Sequence, residues 1–167
     1  MAILFEDFIN KSEKHRNYRI FATDQSDKLI DYAKLGSYKH REIENVKISY
    51  LEKYFEKLRN TYVISKKLQK HIELSFFDLL DKNFDFPHES IYGQFNLIIC
   101  SNVLIYYNFE AQNKIIRKLI DSLSKNGYLI VGETEKHLLN NYQELVSLDL
   151  NSSIYRKVLS ENDKDKI

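Results

Sequence analysis

Apolar positions in the first part of the chain predict a helix, a strand and a second helix. Residues 2–8 carry an apolar helical face made of Ile3, Leu4, Phe5 and Phe8. Residues 19–23 (RIFAT) have the pattern of a short buried strand that ends at Asp24. Ser26 is a suitable cap for a following helix, and Gly36 can close it. The predicted inward positions of that helix are Leu29, Ile30 and Ala33.

The middle of the chain predicts a further helix and two short strands. The helix covers residues 49–60, with Leu51, Tyr54, Phe55 and Leu58 on one side. Residues 62–64 and 73–77 are β-branched or aromatic and have polar flanks, which favours strands. Pro87 and Gly93 indicate a loop.

The last part of the chain has the clearest pattern. Residues 95–100 (FNLIIC) are nearly all apolar, as in a central strand covered on both faces. Asn108 caps a predicted helix that residues 125–127 stop, and its inner stripe is Ile115, Ile116, Leu119, Ile120 and Leu123. A strand at 128–131 and an antiparallel hairpin of 144–149 with 153–157 follow. The alternation predicts an α/β fold with a mostly parallel sheet.

Composition narrows the class of protein. The 167 residues suffice for one domain, and 25 Lys plus Arg against 24 Asp plus Glu leave no basic excess for nucleic acid or a membrane surface. A single cysteine, Cys100, favours a reducing compartment, and no apolar run approaches the ~20 residues of a membrane span. We therefore expect a cytoplasmic protein without membrane insertion, with residues 158–167 as a flexible charged tail. The histidines at 15, 40, 71, 88 and 137 lack ligand spacing, so no metal site is predicted.

Three stretches, in order, resemble one enzyme family. They are FATDQSDKLIDYAKLGSY from Phe21, LEKYFEKLRNTYVISKKLQKHIELSFFDLLD from Leu51, and FNLIICSNVLIYYNFEAQNKIIRKLIDSLSKNGYLIVGETE from Phe95. They are similar to segments of the CheR-type chemotaxis receptor methyltransferases. The resemblance spans residues 1–157, with 37–72 as a small inserted α/β subdomain. It implies a Rossmann-like class I methyltransferase sheet, S-adenosylmethionine as methyl donor, and glutamates of a chemoreceptor cytoplasmic domain as substrate.

The resemblance also implies site residues, each of which has a plainer structural explanation. Asp24 would contact the donor, where a carboxylate can accept hydrogen bonds from sugar hydroxyls, or it caps a helix. Asp78 and Leu79 match the family's Asn-Leu pair, or they form a turn aspartate beside a core leucine. Ser101 departs from the family's usual arginine. Asn102 could bind the amino-acid end of the donor or cap a turn.

Tyr106 matches the family tyrosine beside the reacting methyl group, where a phenol can orient the acceptor carboxylate. Tyr107 is expected to pack. Cys100, inside a strand, is expected to be a small core residue. Glu133 and Glu135 could form an acidic pair, but a solvated loop is the favoured interpretation.

The front of the chain departs from the family pattern. The family's first strand, its G-C-[SA]-T-G-E-E loop and its N-terminal helical domain have no counterpart, and none of the four glycines precedes Gly36. We expect a truncated methyltransferase in which the missing strand would lie between the strands ending at Asp24 and Cys100. The alternatives are a non-catalytic interaction module and one half of a split enzyme completed by an N-terminal chain. We expect weak or absent donor binding by this chain alone, and marginal stability or self-association.

Overall fold

A computed structural model describes residues 1–12, 17–88, 90 and 94–158. The chain forms two compact units, Met1–Phe77 and Asp78–Ile167. The predicted loop residue Gly93 and nearly all of the predicted tail lie outside the described residues. The boundaries predicted for an inserted segment at 37–72 stay a prediction.

The first unit contains a parallel strand pair and a small antiparallel sheet. β1 pairs with β5 in parallel, and the three-stranded sheet has the order β2-β4-β3. The elements in chain order are α1 (Ala2–Lys11), β1 (Ile20–Asp24), α2 (Asp27–Leu35), β2 (Ser37–Lys39), α3 (His40–Ile43), α4 (Ile48–Tyr54), β3 (Phe55–Leu58), β4 (Thr61–Ile64), α5 (Lys66–Gln69) and β5 (Ile72–Phe76).

The second unit is a four-stranded mixed sheet with one long helix. Its strand order is β6-β7-β9-β8, in which β6 and β7 are parallel and the other neighbours are antiparallel. The elements are β6 (Phe95–Cys100), a 3-10 turn (Leu104–Tyr106), α6 (Phe109–Ser122), β7 (Leu123–Val131), a 3-10 segment (Glu133–Leu139), β8 (Leu145–Ser147) and β9 (Ile154–Lys157). The predicted α/β class and the C-terminal hairpin are confirmed.

The packing of the second unit follows its sequence pattern closely. Asn108 caps α6 by accepting a hydrogen bond at Oδ1 from the Ala111 N–H at 3.0 Å. The five predicted stripe positions of α6 are all buried. They pack in one apolar cluster with residues of the sheet, including Leu129, Val131 and Tyr155. α6 ends three residues before the predicted stop, because Leu123 already starts β7.

The predicted helix over residues 49–60 is wrong in its second half. α4 ends at Tyr54, and the following residues form β3, which pairs antiparallel with β4 from Phe55↔Ile64 to Leu58↔Thr61. Arg59, in the connecting turn, has a positive φ of 54°. Apolar residues spaced three and four apart suit a helix. The aromatic and β-branched residues of the two strands stabilise the hairpin instead.

Two predicted burial patterns are also wrong. Leu29 faces away from the core of its unit and is 55% exposed, whereas Ile30 is buried as predicted. β6 is not covered on both faces, since Ile99 is 48% exposed. Among the described residues β6 lies at one end of its sheet, with β7 as its ladder neighbour. A strand flanked on one side keeps less of its surface covered than a central strand does.

No helix in the described part of the chain combines the length and apolar character needed to cross a membrane.

Candidate functional site

The loop that follows β6 carries three of the predicted site residues, Ser101, Asn102 and Tyr106. It leaves the strand at Cys100, turns at Asn102 and closes in the 3-10 turn that ends at Tyr106. Asn102 adopts a left-handed conformation with φ of 57°, which a residue other than glycine seldom adopts. Such a conformation persists only where surrounding contacts hold it.

Glu135 supplies those contacts. Its side chain is fully buried, with 0% exposure. Oε2 accepts hydrogen bonds from the backbone N–H groups of Asn102 at 2.9 Å and Gly132 at 2.7 Å. Oε1 accepts from Val103 at 2.9 Å, from Leu104 at 2.8 Å and, more weakly, from Ile105 at 3.4 Å. One buried carboxylate therefore connects the loop after β6 to the segment after β7. We call Glu135 and these five N–H groups the Glu135 network.

The sequence-based interpretation of the two acids after β7 was wrong for Glu135. The side chain of Glu133 is 72% exposed and pairs with Lys136, as expected of a solvated loop. Glu135 is instead part of a capping arrangement in which its carboxylate accepts from the Gly132 N–H three residues earlier. The spacing Gly-x-x-Glu was the available signal, because a Glu three residues after a helix cap is typical of that arrangement.

Because Gly132 has no side chain, the Glu135 carboxylate and the Asn102 side chain can lie close to its backbone. A Cβ atom placed on Gly132 would lie 2.7 Å from Glu135 Oε2 and 2.8 Å from Asn102 Oδ1. These separations are shorter than van der Waals contact. The side chain of Asn102 therefore lies against the backbone of the segment after β7.

Tyr106 is presented to solvent by a loop whose backbone is held by hydrogen bonds to Glu135 and Gln112. Its side chain is 81% exposed, whereas Leu104 is fully buried and Tyr107 packs against the core of the second unit. The Leu104 carbonyl oxygen accepts a hydrogen bond from Gln112 Nε2 at 3.0 Å, which ties the turn to α6. The prediction that Tyr107 packs is confirmed, and an exposed phenol can meet a partner molecule.

Asp78 and Leu79 lie in a turn held by side chains of α6. Asp78 Oδ1 accepts from the Leu80 N–H at 2.8 Å, so this carboxylate already closes its own turn. Leu79 packs against the core cluster of the second unit. Lys118 Nζ donates to the carbonyl oxygens of Asp81 and Phe84, at 2.5 and 2.8 Å. This geometry matches the plainer interpretation of both residues, and their role toward a donor stays a prediction.

Asp24 belongs to the first unit. It ends β1, in register with Phe76 at the end of β5, and its carbonyl oxygen accepts from the Phe77 N–H at 3.1 Å. Asp24 Oδ1 accepts from the Ser26 N–H at 2.8 Å. The carboxylate thus shapes the entry to α2, while Ser26 is the cap residue without a side-chain cap bond. The structure brings Ser101, Asn102 and Tyr106 into one loop and places Asp24 in the other unit.

Cys100 is buried at the end of β6. Burial, with a smaller contribution from the nearby Glu135 charge, raises the pKa of its thiol to about 12. A thiol with this pKa stays protonated at neutral pH and is a poor nucleophile. Among the described residues no group of three or more His, Cys, Asp or Glu side chains could hold a metal ion.

Comparison with known proteins identifies the family. Residues 1–152 match the family described as "CheR methyltransferase, SAM binding domain". The chain belongs to this family. Curated chemotaxis protein methyltransferases are similar to it. The Listeria innocua protein is 31% identical, and the match covers 83% of this chain and 48% of the relative. The Escherichia coli K12 protein is 27% identical, and the match covers 71% of this chain and 41% of the relative. The chain spans about half the length of these relatives.

Solved methyltransferase structures are more distant. The N-methyltransferase NodS from Bradyrhizobium japonicum, in complex with S-adenosyl-L-homocysteine, has 15% identity and a TM-score of 0.48, covering 83% of this chain and 66% of its own. PKMT2 from Rickettsia typhi, in complex with AdoHcy, has 23% identity and a TM-score of 0.40, covering 68% and 16%. The assignment of the CheR domain therefore rests on the family match and on the curated relatives.

The description of this family names S-adenosylmethionine (SAM) as the molecule that its domain binds. The side chains present fit such a molecule in their chemistry. Asp24, at the carboxyl end of β1, has a carboxylate that can accept from ribose hydroxyls. Ser101 and Asn102, which are exposed after β6, offer a hydroxyl and an amide for the amino-acid end.

Proposed function

We propose that this chain is the donor-binding domain of a methyltransferase that transfers methyl groups from S-adenosylmethionine to glutamate side chains of a chemoreceptor cytoplasmic domain. The observation that carries the proposal is the loop Ser101–Tyr106, which occurs within the CheR family match and projects an exposed phenol beside a rigidly held turn. The proposed donor contacts are Asp24, Asp78, Leu79, Ser101 and Asn102. Tyr106 is the proposed catalytic residue, and the cytoplasm is the proposed location.

Methyl transfer to a glutamate carboxylate requires little acid–base catalysis. S-adenosylmethionine, when bound, supplies an electrophilic methyl group on a sulfonium. A glutamate acceptor is already ionised at neutral pH, since its ordinary pKa is about 4.3, so no strong base is required. The protein's work is to orient the acceptor and exclude water. An exposed phenol on an anchored turn can donate a hydrogen bond to the acceptor carboxylate and hold it in line.

Methylation of a receptor fragment tests the proposal. The full-length protein that contains this segment is incubated with methyl-labelled donor and the cytoplasmic fragment of a chemoreceptor. We expect base-labile methyl esters on glutamate. Tyr106→Phe should lower kcat at least tenfold while changing donor affinity by no more than about threefold. Tyr128→Phe, at a partly exposed tyrosine on β7, is the matched control and should keep full activity. Label on lysine or nucleic acid would contradict the substrate assignment.

A second candidate function is receptor docking without catalysis. The sheet β2-β4-β3 places β3 at an edge, and Glu56, Lys57 and Leu58 on that strand are exposed. An extended peptide can add to such an edge through main-chain hydrogen bonds. The chain would then bind a receptor tail in the absence of donor. A third possibility, an enzyme completed by a separate N-terminal chain, predicts that methylation appears only when both chains are mixed.

Peptide titration separates docking from catalysis. If β3 is a docking edge, a receptor-tail peptide should slow amide exchange of residues 55–58 at least tenfold, whether or not the donor is present. Protection that requires the donor would instead support an assembled catalytic site.

A further inference from the structure

We propose that Glu135 is a positioning residue that presets the donor-facing loop, so that Asn102 and Tyr106 are held in place before any ligand binds. The inference rests on the proposed function above. It assigns a role to a residue that the sequence placed in a solvated loop and that does not itself face the donor.

The first argument is the number and direction of the hydrogen bonds. Three consecutive N–H groups, those of Asn102, Val103 and Leu104, point at one carboxylate within 2.9 Å. A carboxylate has lone pairs for about four acceptor sites and offers no competing donor when ionised. An amide side chain of the same length has one acceptor oxygen and adds two donors. The loop therefore needs Glu135 as a carboxylate, and glutamine does not replace it.

The second argument is the effect on neighbouring side chains. Because the loop N–H groups converge on Glu135, the backbone is turned so that Asn102, Ile105 and Tyr106 are exposed. Leu104 enters the core in the same turn. The left-handed φ of Asn102 is fixed by the N–H bonds of that residue and its successor. Asparagine tolerates this conformation better than most residues, and the two N–H bonds stabilise it relative to the other conformations open to the residue.

The third argument is topological. Glu135 follows β7 and the loop follows β6, and these parallel strands are paired from Leu97↔Tyr128 to Cys100↔Val131. The carboxylate thus fixes the loop relative to the strand ends of the unit's sheet. Oε2 accepts from the Gly132 N–H after β7 and from the Asn102 N–H of the loop, whereas Oε1 accepts from loop N–H groups, so the carboxylate joins the two segments through Oε2. A residue can position a loop only if it is itself held in place, and here the end of β7 holds Glu135.

Amide hydrogen exchange of the donor-free 167-residue chain tests the inference directly. In the parent chain, the amides of residues 102–104 should be as protected as those of residues 129–131 in β7. Glu135→Gln should accelerate exchange at 102–104 at least tenfold and change 129–131 by less than threefold. Glu133→Gln, two residues away on an exposed side chain, is the matched control and should change neither.

Several outcomes would overturn the inference. Equal acceleration throughout the second unit in Glu135→Gln would show a purely structural role. Unchanged exchange at 102–104 would show that the network is dispensable. If Glu135→Gln does not fold, amide exchange in the parent chain is the test. Exchange at residues 102–104 as fast as in the exposed turn at 149–151 would refute the network.

A kinetic arm separates this inference from the proposed function. In the full-length protein, Glu135→Gln should raise KM for the donor at least tenfold and lower kcat less than Tyr106→Phe does. Glu135→Asp keeps the charge but shortens the side chain, so it should not restore donor affinity. Full donor affinity in Glu135→Gln would refute positioning. Absence of any methylation by the parent enzyme would refute the proposed function, while the exchange result would still decide the role of Glu135.

Discussion

Gly132→Ala perturbs the Glu135 network by adding one methyl group. The new Cβ would lie 2.7 Å from Glu135 Oε2 and 2.8 Å from Asn102 Oδ1. Asn102 is exposed and can turn its side chain away, but Glu135 is fully buried and held by the N–H groups of Gly132 and Asn102. Relief of the clash therefore breaks at least one hydrogen bond to a buried carboxylate. Such a bond contributes about 1.5–3 kcal/mol, and overpacking adds about 1–3 kcal/mol.

We expect Gly132→Ala to destabilise the chain by about 2.5–6 kcal/mol, the sum of the two contributions. With a urea dependence of about 2 kcal/mol per molar, the midpoint of unfolding should fall by about 1–3 M. Urea titration followed by far-ultraviolet circular dichroism measures this shift. A stabilising osmolyte such as TMAO keeps the variant folded at the start of the titration.

A double-mutant cycle checks that the clash with Glu135 is the cause. In a Glu135→Ala background the oxygen is gone, so Gly132→Ala should cost less than about 1 kcal/mol. The two substitutions would then be strongly non-additive. Additive effects, or a shift of the midpoint below about 0.3 M in the parent background, would refute the explanation.

Three smaller predictions concern other parts of the chain. The thiol of Cys100, buried and with a pKa of about 12, should not react with a disulfide reagent at pH 8 until the chain is unfolded. Asn108→Ala should destabilise by about 1 kcal/mol through loss of the α6 cap, whereas the exposed Asn140→Ala should change stability by less than about 0.5 kcal/mol. Lys67, through its hydrogen bond and its charge, lowers the pKa of Glu6 below its usual value, although burial acts in the opposite direction. The ionised Glu6 therefore stabilises the folded chain above about pH 4.5, and this stabilisation is lost as pH falls through the lowered pKa. Glu6→Gln should therefore destabilise at pH 7 and much less in acid, as urea midpoints at the two pH values would show.

The sequence predicted best where local pattern and burial agree. The apolar stripe of α6 repeats every three to four residues beside a suitable cap, and the helix forms with that face inward. The pattern at 49–60 was equally helical, yet β3 forms there because pairing with β4 stabilises it. Pairing with a later segment is invisible to a local pattern. The same limit explains Ile99, whose apolar character predicted coverage on both faces.

The sequence likewise indicated some residues of the candidate site and missed another. The family resemblance drew attention to Asn102 and Tyr106, and the structure places them in one loop. Glu135 was missed because its burial depends on the parallel pairing of β6 with β7, which brings the two strand ends together. A short acidic stretch after a strand is ordinarily solvated. Only the three-dimensional arrangement supplies the N–H groups that make burial of a carboxylate favourable.

Donor binding by the 167-residue chain alone is the last prediction, and it follows chiefly from the loop N–H groups that Glu135 already holds. Asp24 Oδ1 accepts from the Ser26 N–H and Asp78 Oδ1 from the Leu80 N–H, both at 2.8 Å. The loop N–H groups at 102–104 are used by Glu135.

The number of engaged groups sets the expected affinity. Each hydrogen bond that the donor cannot form withholds about 0.5–1.5 kcal/mol, so the three loop N–H groups held by Glu135 withhold about 1.5–4.5 kcal/mol. A micromolar complex has about 8 kcal/mol of binding free energy and a millimolar one about 4. We therefore expect the chain alone to bind S-adenosylmethionine weakly or not at all, with a dissociation constant at least about tenfold weaker than micromolar and reaching the millimolar range. We also expect it to be marginally stable or self-associated. Calorimetric titration and sedimentation measure both properties. Micromolar binding by a monomeric, cooperatively melting chain would show that the engaged groups exchange their partners for the donor at little cost.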